Sequence, residues 1–205
     1  MRTPWLTAVL ARGQEPDPGL PWRIADAAER ERELRAGTVQ RVLADVVVAA
    51  DADVDAVLRA RALALLVPAG VVVQGEAALW VHLGGPWPDP DRTRVVIRRL
   101  PDPDACRAVP LTVSRVRPPA ADLARIGPLT LTTPARSLLE VATEHPHRAR
   151  RVRAALTAAG LLDDAAVAGA SDRARGRAGV RTARRALSLR RNGGGTLRSS
   201  ADGTP

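Results

Sequence analysis

Residues 39–49 have the sequence VQRVLADVVVA, and this stretch decides the fold of the amino-terminal part. It contains two β-branched runs, residues 39–42 and 46–49, separated by three residues that include Asp45. Valine packs well on a pleated sheet, and such runs joined by a short polar break are typical of a hairpin. The sequence therefore predicts a small two-stranded ribbon here.

Two helices are predicted upstream of this ribbon. Residues 4–12 can form a short helix, and the following loop, residues 15–21, contains three prolines and a glycine. Residues 23–35 are dense in arginine and glutamate and predict a second helix that ends at Gly37. Two helices followed by a ribbon are the outline of a winged helix-turn-helix domain, which we predict for residues 1–50.

Residues 51–143 predict a small mixed α/β domain. Asp53 is placed to cap a helix with an apolar stripe between residues 54 and 66. Thr133 and Pro134 form a strong helix start, because threonine caps free amides and proline fits the first helical position. Short apolar segments predict the other elements, which are strands at 71–73, 95–97, 111–116 and 129–131 and a helix at 76–82.

Residues 144–190 predict a basic helical segment. Its helices are expected at residues 147–159, after Asp163 and at residues 177–189, and the first and last have an apolar stripe with arginines pointing elsewhere. Residues 191–205 are rich in Gly, Ser and Thr and predict a disordered tail. Taken together, these elements predict an α/β protein of the α+β class.

The charge is distributed unevenly along the chain. All 31 basic residues are arginine, and residues 1–146 hold 18 of them beside 18 acidic residues. Residues 147–205 hold 13 arginines and four aspartates, so the net charge of +9 lies entirely in this part. Such a block favours an anionic partner. A solvated basic surface with a disordered tail accounts for it equally well.

Several classes of chemistry are excluded by residues that the sequence lacks. Without lysine there is no phosphate-binding loop lysine, no Schiff base and no catalytic lysine of a restriction-type nuclease. The single cysteine, Cys106, allows neither an intrachain disulfide nor a cysteine zinc site. We expect no enzyme activity, no metal and no cofactor.

The apolar segments predict neither a leader nor a membrane span. The apolar stretch at residues 5–11 is too short for a signal peptide and lacks a small-residue cleavage site. The longest apolar run, residues 62–73, contains Pro68 and Gly70. Together with the lone cysteine, these features lead us to expect a cytoplasmic protein without membrane contact.

Five stretches, in this order, resemble one family. Residues 37–48 (GTVQRVLADVVV) resemble a wing, and residues 68–84 a strand-then-helix segment. Residues 110–116 and 127–140 (GPLTLTTPARSLLE) resemble a strand and the pattern GxxVTxPARTLxD. Residues 173–180 resemble a GRRG turn before a last helix. In these stretches the chain resembles the AbiEi-type antitoxin regulators of bacterial toxin–antitoxin systems.

The resemblance covers roughly residues 22–188. It implies a winged helix-turn-helix and an α/β domain that bind an operator and oppose a nucleotidyltransferase toxin. The family's wing arginine and tyrosine are replaced here by Ala44 and Val48, and Gln74 and Gly75 stand where a polar or basic pair is usual.

Many relatives continue into an endonuclease domain similar to very-short-patch-repair enzymes. Residues 190–205 of this chain contain one acid, Asp202. A single carboxylate leaves no pair to hold a magnesium ion.

Ten arginines are the candidate contacts to duplex DNA, because a guanidinium group binds phosphate and guanine edges. They are Arg30, Arg32, Arg35, Arg41, Arg150, Arg151, Arg153, Arg177, Arg181 and Arg185. The first three lie on a helix with three glutamates, where a solvated helix with ion pairs is the stronger interpretation. Arg41 suits a phosphate contact or a plain surface position. The carboxy-terminal arginines make the stronger electrostatic case, and the few aromatic residues disfavour base stacking.

Three hypotheses for the function stay open. The first is a DNA-binding transcriptional regulator of the type IV antitoxin kind that autoregulates its operon. The second is a protein-interaction module whose basic helices neutralise an acidic toxin face. The third is a non-catalytic remnant of a regulator–endonuclease fusion.

Overall fold

The computed structural model describes four ranges of the chain, which are residues 19–86, 93–96, 111–114 and 117–189. These ranges combine helices with two sheets, which confirms the predicted α+β fold class. The predicted helix at residues 4–12 and the predicted tail at residues 191–205 lie outside the described residues.

The described part contains seven α-helices and eight strands. The helices are α1 (Ala27–Ala36), α2 (Ala56–Ala64), α3 (Gly75–Leu83), α4 (Pro134–Glu144), α5 (Ala149–Ala158), α6 (Asp164–Arg173) and α7 (Val180–Ala186). The strands are β1 (Trp22–Arg23), β2 (Val39–Leu43), β3 (Val46–Ala49), β4 (Val72–Gln74), β5 (Thr93–Val96), β6 (Leu111–Val113), β7 (Leu123–Ile126) and β8 (Leu129–Thr132). None of the described helices has both the length and the apolar character needed to cross a bilayer.

The helix–ribbon order predicted for residues 22–49 is confirmed, with one correction at its start. Strands β2 and β3 form the expected hairpin, and Gly37 ends α1 with a φ of 68°. The prediction that the helix begins at Arg23 is wrong. Arg23 pairs with Val46 in the strand order β1-β3-β2, and the helix starts only after Asp26, whose side chain accepts from the Ala28 amide at 2.8 Å.

The turn of this hairpin contains a strained residue, Ala44, with a φ of 47°. We expect Ala44→Gly to raise the free energy of unfolding by roughly 0.5–1 kcal/mol. The gain arises because relief of left-handed strain, about 1–2 kcal/mol, exceeds the entropy that glycine adds to the unfolded chain, about 0.4–1 kcal/mol. Urea titration measures the change. Ala50→Gly is the control at an exposed turn without a positive φ, and an equal gain there would contradict the strain argument.

The second sheet has the order β6-β5-β4-β8-β7, with β4 parallel to β8 and antiparallel to β5. One apolar core joins this sheet to α2 and α3 and includes Leu43 and Val46 from the hairpin. Two details differ from prediction. The cap of α2 is Asp55, because its side chain, not that of Asp53, accepts from the Leu58 amide. Strand β7 was not predicted, because its pairing with β8 forms it rather than an apolar pattern of its own.

A second core surrounds α4, which is buried along residues 135–142. Helices α5, α6 and α7 pack on it, so the basic segment is attached to the α/β part by a shared apolar core. Val180, Ala183 and Leu187 point inward as predicted.

The apolar stripe predicted for α5 is partly wrong. Ala155 and Ala159 are exposed, whereas Leu156 and Ala149 are buried. Consecutive helical residues are about 100° apart, so Ala155 lies to the side of Leu156. Ala159 follows the last residue of α5.

Candidate nucleic-acid interface

About half of the arginines in the basic segment are neutralised by carboxylates. Residues 147–189 carry ten arginines and three aspartates. Five of these arginines form ion pairs, which are Arg148–Glu76, Arg153–Asp164, Arg173–Asp122, Arg175–Asp172 and Arg184–Asp172. Two of the partner acids come from outside the segment, so part of its charge is cancelled by the α/β part.

Four arginines of this segment remain exposed, and no hydrogen bond or ion pair links them to any residue that the structure describes. We call them the arginine surface: Arg150, Arg151, Arg181 and Arg185. On α5, Ala149 and Leu156 face the core, whereas Arg150 and Arg151 are exposed outside this buried stripe. The buried stripe of α5 therefore determines that these charges point into solvent.

Helix α7 repeats this arrangement. Val180 and Ala183 are buried, while Arg181 and Arg185 are exposed and lie four residues apart, on one face. Helices α5 and α7 thus each bury an apolar stripe and expose two arginines.

Arg153 holds α5 against the end of α7. Its Nη1 donates to the Leu187 carbonyl at 2.8 Å, and its Nη2 pairs with Asp164 at 2.6 Å. A cation at a helix carboxyl terminus is favoured by the helix dipole. Arg153 is therefore a structural link between the two helices of the arginine surface, and its guanidinium is already occupied.

Arg177 is also turned away from the arginine surface. It is half-buried, and its Nη2 donates to the Arg117 carbonyl at 3.2 Å. Burial lowers the pKa of Arg177, and the nearby positive charge of Arg136 lowers it further. It lies in the turn between α6 and α7, most of which is exposed.

The amino-terminal candidate arginines also divide into two that are engaged within the protein and two that are exposed. Arg30 donates to the Ile24 carbonyl at 2.7 Å, and Arg41 forms an ion pair with Glu31. Arg32 and Arg35 are exposed and make no such contact with any described residue. Helix α1 thus offers two available guanidinium groups on a surface that also carries glutamates.

A buried polar cluster was missed by the sequence reasoning. Asp122 is fully buried, and Arg136 is only 4% exposed. Asp122 Oδ1 accepts from Arg173 Nε at 2.7 Å, and Arg136 Nε donates to Glu140 Oε1 at 2.8 Å. Glu140 Oε2 also accepts from the Gly75 amide at 2.9 Å, which ties α4 to the start of α3. The available signal was an arginine and a glutamate at i and i+4, on a helix whose residues 135–142 are all buried.

No group of three or more His, Cys, Asp or Glu side chains within the described ranges is arranged to hold a metal ion. Comparison of the chain with family models, with curated proteins and with solved structures found no significant match. The AbiEi-type resemblance therefore stays a prediction from the sequence.

Proposed function

We propose that the chain binds duplex DNA as a non-catalytic transcriptional regulator of the AbiEi-type antitoxin kind. The observation that carries this proposal is the arginine surface, four exposed guanidinium groups on two helices that Arg153 links together. A guanidinium binds phosphate oxygens with a two-pronged fork, and each phosphate it neutralises releases counterions. Contacts of this kind position a protein on DNA without reading its sequence.

Helix α1 and the β2–β3 hairpin are the part of the chain proposed to read bases. Arg32 and Arg35 are the available side chains there, and α1 directly precedes the hairpin through Gly37. The glutamates of α1 weaken its attraction to phosphate. We therefore assign most of the binding free energy to the arginine surface and the preference for a particular sequence to α1.

The test is a titration of the full chain with random and upstream duplex DNA across a salt series. We expect affinity to fall steeply with salt for the wild type. Replacing Arg181 and Arg185 by glutamine removes two phosphate contacts, so the slope of log K against log salt becomes shallower by roughly 2. Replacing all four arginines of the surface makes it shallower by roughly 3–4.

The matched control removes two exposed arginines elsewhere, Arg61 and Arg125, which lie on α2 and β7. This variant loses the same net charge as the Arg181/Arg185 variant and is expected to keep the wild-type slope. An equal reduction in slope would mean that overall charge, not the arginine surface, governs binding. If the wild type does not bind DNA at low salt, the proposal fails, and an acidic protein partner becomes the better assignment.

A further inference from the structure

A cavity of about 150 Å³ lies between α4 and the turn that joins α6 to α7. Its lining includes Arg136, Leu139 and Glu140 from α4 and Arg177 and Val180 from the turn and the start of α7. The cavity is partly open to solvent, and about 150 Å³ is enough space for a molecule as large as benzene. The space is therefore suited to a small organic ligand.

Two guanidinium nitrogens that belong to lining residues lack a hydrogen-bond partner within the described part of the chain. Arg136 Nη1 and Arg177 Nη1 are both buried atoms without one. Arg136 Nη1 lies 3.6 Å from Asp122 Oδ2, beyond hydrogen-bonding distance, and that oxygen is itself unsatisfied. Buried donors of charged groups are costly to leave unpaired, so two in one cavity indicate a missing acceptor.

The charge around the cavity favours a monoanion as that acceptor. Arg136 forms ion pairs with Asp122 and Glu140, whereas Arg177 forms none with any described residue, so one guanidinium charge beside the cavity has no carboxylate partner. Both oxygens of Glu140 are already engaged, by Arg136 Nε and by the Gly75 amide. Glu144, which also contributes to the lining, is exposed to solvent and is therefore screened. A dianion such as phosphate would overcompensate this charge.

We propose that the cavity binds a small molecule with a carboxylate group, whose two oxygens accept from Arg136 Nη1 and Arg177 Nη1. Leu139 and Val180 supply apolar lining for the rest of the ligand. The proposal does not depend on DNA binding, because neither arginine belongs to the arginine surface.

The first test is thermal unfolding of the full chain in sodium acetate, propionate or benzoate, compared with sodium chloride at equal ionic strength. We expect a saturable rise of Tm by about 3–6 °C when the carboxylate reaches about ten times its Kd. Sodium phosphate at the same ionic strength is expected to give a smaller rise. A larger effect of phosphate, or equal effects of carboxylates and chloride, would overturn the proposal.

Three variants test whether the carboxylate that raises Tm binds in the cavity. Arg177→Gln removes one of the two donors and is expected to abolish the carboxylate-dependent rise. Arg175→Gln, two residues away and exposed, and the variant lacking all four arginines of the arginine surface are expected to retain it. If either control loses the carboxylate-dependent rise of Tm and Arg177→Gln keeps it, the carboxylate binds to the outer surface and not in the cavity.

A measurement on the wild type covers the case in which Arg177→Gln does not fold. In a spectrum of ¹⁵N-labelled arginine side chains, benzoate is expected to shift the guanidinium signals of Arg136 and Arg177 with one common Kd. The signal of Arg175 is the internal reference. Unchanged signals from both cavity arginines at saturating benzoate would refute the site.

Discussion

Asp122→Ala is expected to lower the free energy of unfolding by about 3–5 kcal/mol, because removing one member of a buried ion pair leaves its partners uncompensated. Asp122 is fully buried, accepts a hydrogen bond from Arg173 Nε, forms an ion pair with Arg173 Nη2 at 2.6 Å and lies 3.6 Å from Arg136 Nη1. Arg136 is itself 4% exposed, so its charge cannot regain water without opening the core around α4. Guanidinium denaturation at neutral pH measures the loss.

The control for this prediction is Asp172→Ala. Asp172 also pairs with two arginines, Arg175 and Arg184, but it is exposed to solvent. Water replaces the lost carboxylate there, so the loss should be clearly smaller. Asp122→Asn, which keeps the shape and one acceptor oxygen, is expected to fall between the two. If Asp122→Ala costs no more than Asp172→Ala, the buried cluster does not anchor α6 to the sheet.

Gly179→Ala is expected to lower the free energy of unfolding by about 2–4 kcal/mol through two effects, backbone strain and steric overlap. Gly179 has a φ of 77°, and a Cβ added there would lie 2.2 Å from Thr143 Cγ2. To relieve the overlap, either α7 moves away from α4 or Thr143 rotates and loses its hydrogen bond to the Leu139 carbonyl. Because α7 carries Arg181 and Arg185, DNA binding should weaken as well.

Two further variants separate the two effects. Gly176→Ala has a similar φ of 84° but open space around the added methyl, so it measures the strain alone. Thr143→Ser removes the overlapping methyl and keeps the hydroxyl that donates to the Leu139 carbonyl at 2.9 Å. Gly179→Ala should therefore cost less in a Thr143→Ser background than in the wild type. If Gly179→Ala lowers the free energy of unfolding equally in both backgrounds, the close approach of α7 to α4 is not what requires glycine.

Local sequence patterns predicted structural features that can be checked in the fold, whereas the family resemblance predicted a function. The Gly37 helix end, the hairpin of residues 39–49 and the Thr133 cap were all predicted from short stretches of sequence, and the structure confirms each. Each depends on chemistry within a few residues, such as a capping side chain or a glycine with positive φ. The function implied by the resemblance stays a prediction, because no comparison tests it.

The elements that sequence reasoning missed depend on partners far along the chain. Strand β1 is two residues long and exists because it pairs with β3, more than 20 residues later. Strand β7 similarly needs β8 as its partner. Neither has a periodicity of its own, since two or four residues are too few to show one.

The sequence by itself determined that a block of arginines lies near the carboxyl terminus and that helices there turn Arg181 and Arg185 outward. Only the tertiary structure decided which charges are neutralised. Arg148 pairs with Glu76, 72 residues away, and Arg173 with Asp122, 51 residues away. The face that a helix exposes follows from the spacing of its apolar residues. An ion pair of this kind, in contrast, forms only when packing brings two distant segments within a few ångströms.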